Sequence, residues 1–223
     1  MADPVQIAAP APRRGPETRE AIDRAAVDLF AELGYHATSM RALAAAAEVQ
    51  PAAIYHWYPS KEAILVHLQD DFMEQLTDRV VAAMEGQGQA AFKLAAAVRE
   101  HVVYHGLHTS EAFVTDSEIR ALTPGPRRAL IAKRDAYQAM FGGLIGDGIR
   151  EGSLHASDVR VATYAILLQC TGVALWFDPA GPLTLDEVAA RHVELVLGSL
   201  GAEPELIDAA NGAVARLPVG AEA

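Results

Sequence analysis

Apolar residues recur at every third or fourth position through most of the chain, which is the spacing of one face of an α-helix. The first such pattern begins at Arg19 and ends before Gly34, a residue suited to a helix C-terminus. A second, shorter helix is predicted to begin at Thr38 or Ser39 and to end near Glu48. Two helices are therefore predicted between Arg19 and Glu48.

Proline and serine mark the next two helices. Pro51 is tolerated in the first turn of a helix, where its missing N–H has no partner, and this helix is predicted to end at Trp57. Pro59 follows, and Ser60 is an N-cap for a long helix reaching about Met84. Five more helices are predicted at about 90–106, 111–122, 126–150, 158–176 and 185–199. Since Ala dominates the apolar residues, we expect an all-α fold.

The two short helices, 39–47 and 51–57, are joined by a tight turn and follow a longer helix. This is the order of a helix-turn-helix, whose second helix lies in the major groove of DNA. Small or hydrogen-bonding residues at Gln50 to Ala53 suit the approach to the bases, while Tyr55 and His56 can reach phosphates. Lys61 follows Ser60 at the start of the next helix, where it can also hold a phosphate.

The segments "AAVDLFAELGYHATSMRALAAAAEV" and "AAIYHWYPSKEAIL" resemble the TetR family of bacterial repressors over residues 18–65. The resemblance implies a homodimer that binds palindromic, double-stranded operator DNA, which Arg13 and Arg14 could contact as an N-terminal arm. The implied DNA-contacting residues are Thr38, Ser39, Gln50, Pro51, Ala52, Tyr55, His56 and Lys61. Glu48 stands where the family usually has glycine, so the turn must form without a residue that takes positive φ at low cost.

We divide the chain into a disordered arm (1–17), a helix-turn-helix domain (18–65), a larger ligand-binding and dimerisation domain (66–200) and a C-terminal tail (201–223). The helix at 158–176 is apolar on nearly every face and is expected to be buried. By resemblance, this helix and the one at 185–199 form a four-helix interface with a second subunit.

The region from Asp116 to Thr184 is similar to a TetR subgroup whose ligands are CoA thioesters, which implies a small apolar or CoA-linked effector. Such a ligand needs an apolar tunnel and cations for its phosphates. The candidate residues are Phe113, Arg120, Arg127, Arg128, Arg134, Tyr137, Phe141, Tyr164 and Trp176. The alternative for each arginine is a solvated surface position, paired with a carboxylate such as Glu118 or Asp135.

Three other functions stay open. His101, His105 and His108 share one predicted helix face, so a metal-responsive regulator is an alternative. A helical enzyme using Glu118 or His101 as acid or base is a second, although no catalytic constellation is recognisable and no cofactor is expected. A DNA-binding protein without a sensor function is the third, and it would have a filled second domain.

Charge and cysteine content limit the setting in which the protein acts. The 18 basic and 29 acidic residues give a formal net charge of −11, which disfavours a protein that coats nucleic acid or an anionic membrane. A single cysteine, Cys170, excludes an internal disulfide. Because no signal peptide or basic-flanked membrane span is recognisable, we expect a cytoplasmic protein that does not enter a membrane.

Overall fold

The computed structural model describes residues 15–215, and within this range every regular element is helical, which confirms the all-α fold class. The chain divides into two compact units between Leu65 and Val66. The first unit contains α1 (Gly15–Leu33), α2 (Met40–Ala46), α3 (Pro51–Trp57) and the beginning of α4 (Lys61–Met84). The boundary between the units therefore falls inside a continuous helix.

The second unit contains the rest of α4 and all later helices. These are α5 (Ala90–Leu107), α6 (Thr109–Ser117), α7 (Pro124–Glu151), α8 (Val159–Thr171), α9 (Val173–Trp176), α10 (Leu185–Ser199) and α11 (Pro204–Val214). A 3-10 turn at Glu118–Ala121 lies between α6 and α7, where the sequence predicted one continuous helix to residue 122. The capping box predicted between Thr184 and Glu187 is present at the start of α10.

The predicted terminal segments need two corrections. Gly15 to Glu17 form the first turn of α1 and do not belong to an arm. The predicted tail contains α11, because Pro204 can occupy the first turn of a helix and Ala210 and Val214 bury one of its faces. Arg13 and Arg14 lie outside the described residues.

Helix α5 is the centre of the second unit, and α7, α8, α10 and α11 all pack against it. Nearly all of its residues are buried, including four polar ones. Two of these form ion pairs, Arg99 with Asp186 at 2.8 Å and Glu100 with Arg79 at 2.6 Å. Paired charges are the form in which ionised groups are tolerated in a core.

Gly106 allows a close approach near the end of α5. A Cβ at this position would clash with the end of the Leu185 side chain, so a larger residue requires that side chain to move. Glycine weakens a helix, yet α5 continues through it to Leu107. The packing contact explains why the position is glycine.

The turn between α2 and α3 has the backbone that the sequence analysis identified as costly. Glu48 has a φ of 55°, the one non-glycine positive φ among residues 15–215. The N–H of Val49 bonds to the carbonyl of Ala44 at 2.9 Å, and the N–H of Glu48 bonds to that of Ala45 at 3.2 Å. This is a Schellman motif with glutamate at the position that glycine usually occupies.

Replacing Glu48 with glycine is expected to raise the free energy of unfolding of the first unit by about 1 kcal/mol, because the left-handed backbone no longer crowds a Cβ. Trp57 lies in the first unit and Trp176 in the second, so urea unfolding followed by tryptophan fluorescence in a Trp176→Phe background isolates the first unit.

Glu48→Gln is the matched control, because it removes the charge and keeps the Cβ. Its stability should stay within about 0.5 kcal/mol of the parent protein. Equal stabilisation by both substitutions would show that the carboxylate, and not the left-handed backbone, lowers the free energy of unfolding of the first unit.

Candidate nucleic-acid interface and effector cavity

Helix α3 has one buried and one exposed face. Ile54 is 1% exposed and Tyr58, the residue that ends the helix, is 5% exposed. Gln50, Pro51, Ala52, Tyr55 and His56, all predicted DNA contacts, are exposed. Since Ile54 and Tyr58 are four residues apart, they anchor a single face and leave the opposite one available.

Tyr58 connects the end of α3 to α1. Its hydroxyl donates to Oδ1 of Asp23 at 2.6 Å and accepts from Nε of Arg19 at 3.1 Å. Burial, and then the hydrogen bond to Asp23, raise the pKa of Tyr58 above its ordinary value. The phenol therefore stays protonated and keeps donating to the carboxylate at all physiological pH values.

Thr38, a predicted DNA contact, has hydrogen-bond partners inside the first unit. Thr38 is 2% exposed, and its hydroxyl lies 3.0 Å from the carbonyl of Gly34 and 3.2 Å from that of Leu29. This position corrects the prediction for the Thr38 side chain, because a threonine hydroxyl has one hydrogen to donate and here a backbone carbonyl accepts it.

The side chain of Lys61, the first residue of α4, reaches the loop between α1 and α2. Its Nζ donates to the carbonyls of Tyr35 and Thr38, each at 2.6 Å, and lies 4.3 Å from the centre of the Tyr35 ring. The ammonium group thus organises the loop, a contact that the sequence did not predict for this candidate phosphate clamp.

The N-terminal half of α2 adds exposed polar groups. Ser39 is exposed, and its hydroxyl caps α2 by accepting from the N–H of Ala42 at 3.1 Å. Arg41 is also exposed and was not assigned by the sequence analysis. A basic residue in the first helix of a helix-turn-helix is the signal that was available, because this helix crosses the DNA backbone.

The second unit contains an inner cavity of about 160 Å³. Its lining combines apolar side chains with neutral and charged polar groups. The lining residues are Phe72, Met73, Leu76, His101, His105, Thr115, Asp116, Arg134, Tyr137, Gln138, Leu167 and Thr171. Most of the polar residues were missed because they come from four helices, and their meeting depends on tertiary packing.

His101 and His105 stack in this cavity, with ring centres 4.1 Å apart. Nδ1 of His101 lies 2.8 Å from the Tyr137 hydroxyl, and its Nε2 lies 3.1 Å from Oγ1 of Thr171. Burial lowers the pKa of His101 well below its usual value and lowers that of His105 to about 4. Both imidazoles are therefore neutral at physiological pH.

An outer cavity of about 310 Å³ shares Met73 and Tyr137 with the inner one and therefore adjoins it. Helices α4 and α7 supply its walls. Its basic residue is Lys133, whose Nζ lies 2.5 Å from Oδ1 of Asp70. The two cavities together form adjoining candidate sites along α4 and α7.

The predicted ligand residues divide into two groups. Arg134 and Tyr137 line the inner cavity, and Phe141 is buried behind it, with ring centres 5.3 Å from Tyr137 and 6.1 Å from His101. The other six are exposed and do not line it: Phe113, Arg120, Arg127, Arg128, Tyr164 and Trp176. The sequence pattern identifies helix membership but not which side of α6, α7 or α8 turns inward.

The guanidinium group of Arg134 has two partners in the cavity wall. Its Nη2 donates to the carbonyl of Thr115 at 2.5 Å and lies 3.4 Å from Oδ1 of Asp116. A ligand carboxylate or phosphate at this position would compete with Asp116 for the guanidinium group.

The three histidines proposed as metal ligands do not converge. Each ring nitrogen of His101 already has a protein neighbour, Nδ1 of His105 lies 2.8 Å from the carbonyl of His101, and Nδ1 of His108 lies 3.7 Å from Glu111. Within residues 15–215, no group of three His, Cys, Asp or Glu side chains could hold a metal ion.

A stripe of exposed apolar side chains runs along α8 and α9, so the burial predicted for this helix is incomplete within one subunit. Val161, Tyr164, Leu168 and Leu175 lie on one side, and Leu168 is 77% exposed. The opposite side, which includes Ile166 and Cys170, is buried. We call this surface, together with Trp176, the apolar stripe.

The apolar stripe is also long enough to raise a membrane alternative. By length and composition alone, Val159–Trp176 could cross a bilayer, and only 22% of it is buried. Within this stretch, however, Gly172 separates α8 from α9, and only one side is both apolar and exposed. A bilayer surrounds a helix on all sides, whereas one exposed apolar side is typical of a protein interface.

Two family models match the chain. One, described as "Bacterial regulatory proteins, tetR family", matches residues 22–68 and so includes α2 and α3. The other, described as "Tetracyclin repressor-like, C-terminal domain", matches residues 87–200. The chain belongs to the TetR family.

Relatives of this TetR-family chain extend over most of its length. The repressor KstR2 of Mycobacterium tuberculosis is 28% identical over 186 residues, covering 80% of this chain and 90% of that protein. The fatty acid metabolism regulator protein of Bacillus subtilis is 29% identical and covers 69% and 79%. The crystal structure of PfmR from Thermus thermophilus is 30% identical, with a TM-score of 0.73 and coverage of 79% and 97%.

TetR-family proteins are transcriptional regulators and bind operator DNA as dimers. This membership makes the chain a TetR-type transcriptional repressor and excludes the helical enzyme considered from the sequence. The exposed face of α3 belongs to the matched N-terminal region, and both cavities belong to the second unit.

Lys61→Met is expected to lower the free energy of unfolding of the first unit by about 1 to 3 kcal/mol, since it removes charged hydrogen bonds that close the loop before α2. Urea unfolding followed by Trp57 fluorescence in a Trp176→Phe background measures this change. Lys93→Met, in α5 of the second unit, is the matched control and should leave the Trp57 transition unchanged. An unaltered transition in Lys61→Met would contradict the proposed loop contact.

Proposed function

We propose that this repressor binds a palindromic operator as a homodimer through α3 and is released when a small apolar or CoA-linked effector occupies the second unit. The observation that carries the DNA-binding part is the two-sided character of α3. Ile54 and Tyr58 hold the helix, while Gln50, Pro51, Ala52, Tyr55 and His56 remain exposed. Small side chains at the start of the helix permit close approach to base edges in the major groove.

Phosphate contacts are proposed to come from both short helices. The Tyr55 hydroxyl and the His56 imidazole are suited to phosphates on one side of the groove. Ser39 and the exposed guanidinium of Arg41 are suited to the backbone crossed by α2. Since residues 12–61 contain as many basic as acidic residues, non-specific binding of one subunit should be weak, and tight binding should require two half-sites.

The apolar stripe on α8 and α9 is proposed to be the dimer interface, together with the outer face of α10. Trp176 stacks on His192 of α10, with ring centres 6.1 Å apart, so the two surfaces are adjacent. Leu195 continues the exposed apolar surface on α10. A twofold axis through these helices would bury the same stripe from both subunits, as in other isologous dimers.

The effector is proposed to place its apolar group in the inner cavity and its polar part in the outer one. An inner volume of about 160 Å³ is small for a whole drug-sized ligand, which usually needs ~300 Å³ or more. The adjoining 310 Å³ contains Lys133, whose ion pair with Asp70 a thioester's phosphate end would have to displace. A relative named for fatty acid metabolism supports acyl groups as the first class to test.

Helix α4 is the proposed link between effector and operator. It contributes Phe72, Met73 and Leu76 to the inner cavity and also belongs to the first unit through Lys61 to Leu65. A ligand that binds one arrangement of α4 more tightly than another will shift the protein toward that arrangement. A cytoplasmic location follows from this function, since the operator is there.

Tyr55→Ala is expected to weaken binding to the operator by about tenfold or more, because each dimer loses two phosphate contacts. Genomic DNA fragments selected by the purified protein supply the operator, and fluorescence anisotropy measures the affinity. Tyr55→Phe keeps the ring and removes the hydroxyl, so its affinity for the operator should lie between those of the parent and of Tyr55→Ala. As Tyr55 is 56% exposed, both variants should retain the parent melting temperature.

Salt dependence is the accompanying measurement. Arg41→Ala should reduce the slope of log affinity against log salt by about 1 for each cation removed, whereas Tyr55→Phe should not change it. If Tyr55→Ala and Arg41→Ala both bind the selected fragments as the parent does, this surface is not the DNA interface.

Leu168→Arg is expected to weaken the dimer on the order of 100-fold or more, because a twofold interface would bury the new charge twice. Sedimentation velocity over a concentration series measures the change. Val81→Arg, at an exposed apolar position of α4 outside the stripe, is the matched control and should leave the dimer unchanged. A Leu168→Arg protein that dimerises like the parent would place the interface elsewhere.

A further inference from the structure

His105 has a defined tautomer. Its Nδ1 lies 2.8 Å from the backbone carbonyl of His101, and a carbonyl can only accept a hydrogen bond, so Nδ1 carries the hydrogen. Burial keeps the ring neutral by lowering the pKa of His105 to about 4. The second nitrogen, Nε2, is therefore a bare acceptor at physiological pH.

This acceptor is open to the inner cavity. No described residue donates a hydrogen bond to Nε2 of His105, although the residue is only 4% exposed and lines the cavity wall. Within residues 15–215, the fully sealed side-chain atoms without a partner are Gln69 Oε1, Arg99 Nη1 and Asn211 Oδ1. Nε2 of His105 is not among these sealed atoms, and His105 is one of the residues that line the inner cavity.

The size of the cavity limits what can reach this nitrogen. An apolar cavity of about 150 Å³ in another protein holds one benzene molecule. The inner cavity has a similar volume, about 160 Å³, and Phe72, Met73, Leu76 and Leu167 form its apolar walls. A group about the size of one six-membered ring therefore fits.

We propose that the inner cavity selects a neutral, ring-sized group carrying a hydroxyl that donates its hydrogen bond to Nε2 of His105. The proposal rests on the effector function assigned above to this cavity and specifies which chemical group enters it. An alkyl or aryl group without a donor would leave Nε2 desolvated and unpaired, which is costly in an apolar site. An anionic group is disfavoured, because Asp116 already faces the guanidinium of Arg134.

Phenol and toluene are matched probes, since they differ only by a hydroxyl in place of a methyl group. Isothermal titration of the full-length protein is expected to show phenol binding at least about tenfold more tightly than toluene, although toluene is the more apolar. In His105→Phe the preference should reverse. His155→Phe, at an exposed position of the second unit, should retain the parent preference.

Nitrogen NMR of the wild-type protein gives a readout that does not depend on the variant folding. With ¹⁵N-labelled histidine, saturating phenol should shift the bare Nε2 resonance of His105 toward that of a hydrogen-bonded acceptor, and saturating toluene should not. Toluene binding as tightly as phenol, or an Nε2 resonance that phenol does not move, would overturn the proposal.

Operator release is measured separately with the same two probes. Phenol selectivity together with phenol-driven release supports both the hydroxyl site and the effector function. Phenol selectivity without release retains the hydroxyl site and counts against the effector function of the inner cavity. Release by acyl-CoA esters with no phenol selectivity retains the effector function and overturns the hydroxyl site.

Discussion

The near-complete burial of α5 is the constraint on which the second unit depends. A helix surrounded by four others cannot send its polar side chains to water, so each must find an internal partner. Arg99 and Glu100 do so as ion pairs with Asp186 and Arg79. His101 and His105 do so by remaining neutral and bonding to neighbouring oxygen atoms. The stacked imidazoles line the inner cavity and supply some of its polar atoms.

In the first unit, a few tertiary contacts hold the short helix α3 in place. Helix α3 has only seven residues, too short to be stable alone, so tertiary contacts must hold it. Ile54 supplies buried apolar area, and Tyr58 supplies a charge-assisted hydrogen bond to Asp23. Lys61 closes the loop before α2 by a similar use of a charged donor. These contacts lie on the buried side of α3 and its neighbours. The exposed face of α3 therefore remains available for binding.

The sequence predicted the helices well wherever spacing and caps agreed. Ser39, Ser60 and the Thr184–Glu187 capping box mark helix starts that the structure contains, and positive φ at Glu48 was anticipated from the usual glycine. Burial was harder to predict, because it depends on which elements are adjacent. Thr38 and Lys61 carry groups that suit DNA, but carbonyls from the α1–α2 loop reach them first. For α8, the apolar pattern predicted burial without showing which side packs within the subunit and which side remains exposed.

A two-cavity effector site also makes energetic sense for a switch. Moving an equilibrium from 1:99 to 99:1 requires a ligand that prefers one state by about 5.5 kcal/mol. A ring-sized group of about seven heavy atoms contributes at most about 1.5 kcal/mol per atom, or about 10 kcal/mol, and usually much less, so at least half of its binding would have to discriminate between states. Contacts in the outer cavity, beside Lys133, would add binding energy without enlarging the inner one. The inner cavity can then specify the chemical group, while the attached polar part supplies much of the free energy that shifts α4.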